Sequence, residues 1–190
     1  MIQQALEEIV WKWRSVWDWF VDSTIRMLCL ALPGRFRIVP EASTGEPMLR
    51  QLAIIRGGSW IGKRVGALYL QHFDAPEPRG YAHIHRWRRM RSLVLSGSFI
   101  EERPIDVEYI AHMRGDRYEM DRKVIHRVEW WSPRCWTLFH MSVEQSDAWG
   151  WFEIANRDSS TRQRVLGCFI PWRKHIAKRV PSLDTREITQ

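Results

Sequence analysis

The sequence predicts a mainly β domain, a sandwich or small barrel, preceded by a helical extension. Three observations carry this expectation. From about residue 65 onward the chain runs through short β-branched or aromatic segments, "GALYLQHF", "SLVLSGSFIEE", "VEYIAHM", "RYEM", "HRVEWW", "CWTLFHMSV" and "WGWFEI". Turn residues such as Pro76, Pro78, Gly80, Gly97, Gly115-Asp116 and Ser132-Pro133 separate them, which is the spacing of an all-β fold. The opening residues instead follow a helical repeat that Pro33-Gly34 stops. Finally, 190 residues of which 45% are hydrophobic suffice for one domain with a core, and a second would be cramped.

The elements follow in chain order. Residues 3–32 read as helix, with a break expected near Asp22-Ser23-Thr24, where a capping side chain could restart it. Trp13, Trp17, Phe20, Thr24 and Met27/Leu28 share one face, expected to pack on the core; peripheral contact with a membrane interface is the alternative for a Trp-rich helix with basic residues. Lys12, Arg14, Asp18, Asp22 and Arg26 interrupt the apolar character, and 27–34 is too short to span a bilayer. No secretory signal order is visible. Residues 35–58, with "FRIV" and "LAIIR" between Pro40, Gly45, Pro47 and Gly57-Gly58, suit loops and short strands. A short helix is expected at 171–179. The division is a helical extension at 1–34, a β domain at 35–180 and a polar tail at 181–190.

The net charge of +7 comes mostly from arginine, 24 Arg against 5 Lys. A generally basic surface is the plainer account, because no lysine-rich block or nucleic-acid motif accompanies it. Cys29, Cys135 and Cys168 are too few and too scattered for a disulfide framework or a zinc ribbon, which fits a reducing cytoplasm.

"YAHIHRWRRM", residues 81–90, holds the candidate chemistry. On a strand, His83 and His85 project to the same side and can offer two imidazoles to one ion. A retained divalent ion needs a third ligand, and His126 on a later strand, in "KVIHRVEWW", is the best candidate. A pair of hydrogen-bonded strand histidines is the plainer alternative.

With these residues the chain resembles the cupin superfamily, jelly-roll barrels whose first motif supplies His-x-His and whose second supplies one more His. His83 and His85 fit the pair, Gly97 falls where the first motif ends, Gly115 opens the second and His126 fits its ligand. The usual glutamate position falls on Met90, and the second motif's Pro, Gly and Asn positions fall on Asp121, Lys123 and Trp130. The order "LYLQHF…AHIHRW…SLVLSGSFIEE…HRVE…CWTLFHM…WGWF…PWRKHI", over about residues 65–175, is similar to small, largely uncharacterised cupin-like proteins of bacteria and their phages.

The resemblance implies a cupin-like jelly-roll and one divalent metal, Fe(II) by superfamily preference, with Mn, Ni or Zn also suited to imidazole. Three imidazoles leave open positions for a substrate. Glu101 or Glu102 could replace the missing glutamate, and shared parity with 83, 85 and 97 selects Glu101 as a further ligand. Trp87 has the same parity and is placed nearest the metal. Arg91 could meet an anionic group, and His140 is the reserve histidine; both join Trp87 as substrate-binding candidates. Trp130, Trp131, Trp136, Trp149 and Trp151 either fill the core or line the mouth.

A 2-oxoglutarate oxygenase would need a carboxylate where His85 stands. Gly-x-Ser-x-Gly, phosphate-loop and dinucleotide motifs are absent, and Cys135 lacks a nucleophile motif. The resemblance implies a mononuclear metalloenzyme of oxygenase type acting on a small polar or anionic molecule, with a non-catalytic cupin binding a ligand or protein in a Trp-lined cavity as the alternative. The resemblance also implies a homodimer paired through the sheets, an expectation that no residue pattern here carries.

Overall fold

The computed structural model describes residues 2–40, 47–74, 77, 81–105, 108–145, 150–154 and 166–171. Ile2–Ala31 is a single helix, α1, which runs through Asp22-Ser23-Thr24 without a break. The reason is local: the Asp22 carboxylate accepts from Arg26 one turn on and from the Trp136 indole, so it is not free to cap a new helix. After a 3-10 turn at Pro33–Arg35 come β1 (Phe36–Pro40), β2 (Pro47–Ile55), a short α2 (Gly62–Val65), β3 (Ala67–Phe73), β4 (Tyr81–Ile84), β5 (Arg89–Ser96) and β6 (Ser98–Arg103). The remainder is β7 (Glu108–Met113), β8 (Arg117–Asp121), β9 (Arg127–Trp131), β10 (Trp136–Met141), β11 (Gly150–Ile154) and β12 (Leu166–Pro171). Pro171 ends β12; the rest of the helix expected at 171–179, and the tail at 181–190, lie outside the described residues.

Six strands form the first layer in the order β1-β2-β3-β10-β5-β8. The second layer is built from two three-stranded sheets, β12-β11-β4 and β7-β6-β9. They are stitched together by one antiparallel bridge, in which the His83 amide donates to the His126 carbonyl at 2.9 Å and the His126 amide donates to the His83 carbonyl at 3.1 Å. Two predicted metal ligands are thus directly opposed residues at the centre of this layer. The layers face each other through alternating residues. Val94 and Cys135 from the first layer side pack with Phe99 and Val128 from the second, while Met90, Met120, Phe139 and Met141 fill the adjoining space. Among the described residues the layers pack face to face and no continuous ladder closes them into a barrel.

The helix covers the outer face of the first layer. Ile25 and Cys29 bury against Leu52, Leu70 and Trp136, with Val21, Leu95 and Leu138 at the margin. This corrects the expected helix orientation: Trp13, Trp17, Phe20, Met27 and Leu28 are exposed. Polar anchors decide the docking, because Asp18 accepts the Gly97 amide at 3.1 Å and Asp22 accepts the Trp136 indole at 2.9 Å.

Gly97 is the corner at which the chain leaves β5 in one layer for β6 in the other. Its φ is +67°, and a Cβ there would lie 2.2 Å from Ser132 Oγ and 2.9 Å from the Cys135 Cα. Gly115, at the β7–β8 turn, has φ +92° but open space around it. Gly97→Ala is therefore expected to lower unfolding free energy more than Gly115→Ala, which carries only the backbone cost of roughly 1–2 kcal/mol. Urea denaturation of the two variants measures the difference.

Candidate metal centre

The three histidines converge through their Nε2 atoms. His83 Nε2 lies 3.2 Å from His85 Nε2, which lies 2.9 Å from His126 Nε2. His83 and His126 are held by their backbone bridge on β4 and at the entry to β9; His85 follows two residues after His83 on the same side, just past the end of β4. His83 and His126 are buried, whereas His85 is partly exposed. Among the described residues these three form the group able to place one donor atom each around a common ion.

Carboxylates stand behind two of the rings. Glu77 Oε2 is 3.2 Å from His83 Nδ1 and also accepts the Val128 amide at 3.0 Å. Glu101 Oε1 is 3.6 Å from His126 Nδ1. A carboxylate on the Nδ1 side favours the proton there and the Nε2 lone pair toward the centre; Glu77 is close enough to His83 to act so, whereas Glu101, at 3.6 Å, is too far from His126 for a hydrogen bond. A neutral His85 can then direct one Nε2–H toward one neighbour, and its other contact would set lone pair against lone pair. A cation between them satisfies all three nitrogens together. At a metal–nitrogen distance of about 2.1 Å, ligands at right angles lie about 3.0 Å apart and tetrahedral ones about 3.4 Å. The observed separations of 3.2 and 2.9 Å straddle the right-angle value. The donor set fits a divalent transition metal.

The electrostatics agree with a neutral donor set. Burial pushes the His85 and His126 imidazoles well below the usual histidine value, and the neighbouring histidines add to the effect. Burial alone would raise Glu101, but the His112 and Arg103 hydrogen bonds, at 3.0 and 2.8 Å, hold its carboxyl below the ordinary glutamate value. In metal-free protein the unfolded chain therefore takes up protons on these two histidines before the folded one does. Their contribution to stability is complete above about 6.5, the ordinary histidine value, and is lost as pH falls below it. Thermal melts of metal-free protein are expected to show a falling midpoint between about pH 7.5 and about pH 5.5.

Glu101 was expected to be a ligand, and its position revises that expectation. It faces the site, as strand alternation required, but its oxygens are engaged by Arg103 and His112 and stand behind His126, outside the ring of Nε2 atoms. Glu102 turns to the other face and pairs with buried Arg127. Met90, at the usual glutamate position, is buried among Met120, Phe139 and Met141. Trp87 lies beside His85 with ring centroids 6.1 Å apart, and Phe139 flanks the same ring at 6.3 Å.

Arg91 and His140 are not brought to the centre. Phe139 and Met90 point inward, so their neighbours point outward, where Arg91 pairs with Glu119 at 2.9 Å and His140 Nε2 meets the Val65 carbonyl at 2.7 Å. Both line an open outer groove of about 320 Å³ with Leu68, Leu93 and Leu138. Trp136 is buried under the helix and is no part of a mouth; of the Trp130, Trp131, Trp149 and Trp151 side chains, none lies within the described set. Arg88 and Arg89 form exposed ion pairs with Glu144 and Glu119. Burial pushes the Cys135 thiol up to about 12, so it is no nucleophile.

Sequence reasoning missed Glu77. Its signal was a carboxylate between Pro76 and Pro78, six residues before His83, with no periodicity to mark it. Glu77→Gln is expected to weaken metal affinity by roughly 10–100-fold, because the amide holds the ring less firmly and lowers its basicity. Competition with a chromogenic chelator reads this directly.

No family model matches the chain, and no curated protein matches it. Among solved structures it is similar to the polyketide cyclase RemF from Streptomyces resistomycificus, at 19% identity over 51% of this chain and 66% of that one, with a TM-score of 0.39. The match thus spans just under two thirds of the cyclase. It is also similar to the EutQ protein of Clostridium difficile, at 6% identity over 56% of this chain and 76% of that one, TM-score 0.42. A third is KdgF from Halomonas sp., at 16% identity over 54% and 84%, TM-score 0.38. The fold is the expected mainly β one, two facing antiparallel layers with an N-terminal helix. No helix is long and apolar enough to cross a membrane.

Proposed function

We propose that this chain is a cupin-like metalloprotein in which His83, His85 and His126 hold one divalent cation, Fe(II) favoured, and that it works as a mononuclear metalloenzyme of oxygenase type on a small polar or anionic molecule. The observation that supports this most is the convergence of three Nε2 atoms, with the Glu77 carboxylate 3.2 Å from His83 Nδ1. When bound, such an ion supplies Lewis acidity and, for iron, redox chemistry. The chain's own contribution is placement. The bridged backbone fixes two rings, Glu77 orients that of His83, and the partly exposed His85 marks the side from which a substrate enters between Trp87 and Phe139.

Charge sets the substrate preference. With apolar Met90 at the inner wall, neutral imidazoles leave the cation's charge uncancelled in its own shell, and the glutamates stand one ring further out. An anionic oxygen donor is favoured there. Calorimetric titration of metal-loaded and metal-free protein with small chelating carboxylates tests the reading. Binding that requires the metal, followed by oxygen consumption with the iron form, is the expected result. Equal binding without metal would contradict it and favour the ligand-binding cupin.

A further inference from the structure

We propose that α1 and the turn between β2 and β3 form a docking face for an anionic lipid surface, independent of the metal centre. The helix uses one side for its own sheet, through Val21, Asp22, Ile25 and Cys29. Its opposite side is also apolar. Trp13, Val16, Phe20 and Met27 fall on that second stripe, with Trp17 and Leu28 at its edge, and all are exposed; Trp13 and Met27 each retain 70% of their accessible surface. Trp17 is anchored by its indole N–H to the Leu95 carbonyl at 3.0 Å, which leaves its ring at the surface as part of the stripe. Contiguous apolar surface of this extent on a folded chain marks an interaction site.

The C-terminal end of the helix extends the face. Leu30 and Leu32 are exposed there, and the turn after β2 is tied to it, with Arg35 donating to the Ile54 carbonyl at 3.0 Å and Arg56 donating to the Gly34 carbonyl. That turn presents Trp60, Ile61 and Val65, again exposed, with Arg64 stacked over the Trp60 ring at 4.2 Å.

Charge selects the occupant. Residues 23–40 and 48–73 contain no Asp or Glu, while they carry Arg26, Arg35, Arg37, Arg50, Arg56, Lys63 and Arg64. Arg26 and Arg50 are balanced by Asp22 and Asp74, and Arg37 binds Gln51. Arg35, Arg56, Lys63 and Arg64 remain as exposed cations without a carboxylate in their own segments. Tryptophan and leucine flanked by such cations match a bilayer interface bearing anionic headgroups, where the rings enter the headgroup boundary and the cations meet phosphate. The face would lie in the interface plane and would not span it.

Co-sedimentation of the full chain with vesicles of phosphatidylcholine alone, or mixed with phosphatidylserine, tests this. The expected partition is at least about tenfold higher on the phosphatidylserine vesicles, falls with added salt, and brings a blue shift of tryptophan emission. Trp13→Ser/Phe20→Ser/Met27→Ser and Lys63→Glu/Arg64→Glu should each reduce it several-fold while leaving circular dichroism and metal content unchanged, since none of these side chains is buried. Equal partition onto neutral and anionic vesicles, or none onto either, overturns the proposal. So does concentration-dependent dimerisation that the triple variant abolishes without any lipid binding, which would assign the stripe to a second copy of the chain.

Discussion

Replacing His126 with alanine is expected to reduce metal affinity by more than about 100-fold, beyond what loss of a supporting carboxylate would cost. His126 supplies one of three converging Nε2 atoms, and its removal leaves two imidazoles from neighbouring positions of one segment. The backbone bridge to His83 uses main-chain atoms only, so the second layer should stay joined. Glu101 keeps Arg103 and His112 as partners. The variant is therefore expected to fold and to lack the metal-linked part of stability. For a site with free metal at 1,000 times its dissociation constant, that part is about 4 kcal/mol. Melting curves with and without added metal should separate for the parent protein and coincide for His126→Ala. His140→Ala, on the outer face, should behave as the parent does.

Trp136→Ala is expected to be the most damaging change away from the site, at about 3–5 kcal/mol of unfolding free energy. The side chain is 1% exposed and sits between α1 and the first layer, against Ile25, Cys29, Leu52 and Leu70. Its indole N–H also supports Asp22, whose carboxyl burial would otherwise raise; the Arg26 and Trp136 hydrogen bonds keep it below the ordinary aspartate value. Truncation leaves a cavity under the helix and removes a donor from a buried carboxylate. Trp136→Phe should restore much of the packing and leave the lost hydrogen bond as the residual cost. Urea denaturation of the two variants separates packing from polar contact.

The legible parts of this chain are those that periodicity encodes. A period of two placed His83 and His85 on one side, and the same alternation turned Glu101 toward the site and Glu102 away from it. His126 followed because a two-imidazole site needs a distant partner, and the resemblance placed that partner. Arg91 and His140 stand away from the three histidines because Phe139 and Met90 hold the inward positions, so the next residue in each strand points out, a register that the sequence alone does not print.

The helix orientation was hidden for a different reason. α1 is apolar on two opposite sides, and counting hydrophobic residues selects the stripe heavier in tryptophan. What selects the docked side is a pair of aspartates that reach the Gly97 amide and the Trp136 indole, contacts that exist only after the sheet has formed. Glu77 is similar: its value comes from its place 3.2 Å from His83 Nδ1, and no local pattern announces that.

The most direct measurement is X-ray absorption spectroscopy on protein loaded with one equivalent of Zn or Ni. Three imidazole shells at about 2.1 Å, which His83→Ala and His126→Ala each disrupt, are the predicted result. A spectrum dominated by oxygen ligands, or one that either substitution leaves unchanged, would contradict a cation held by these three rings.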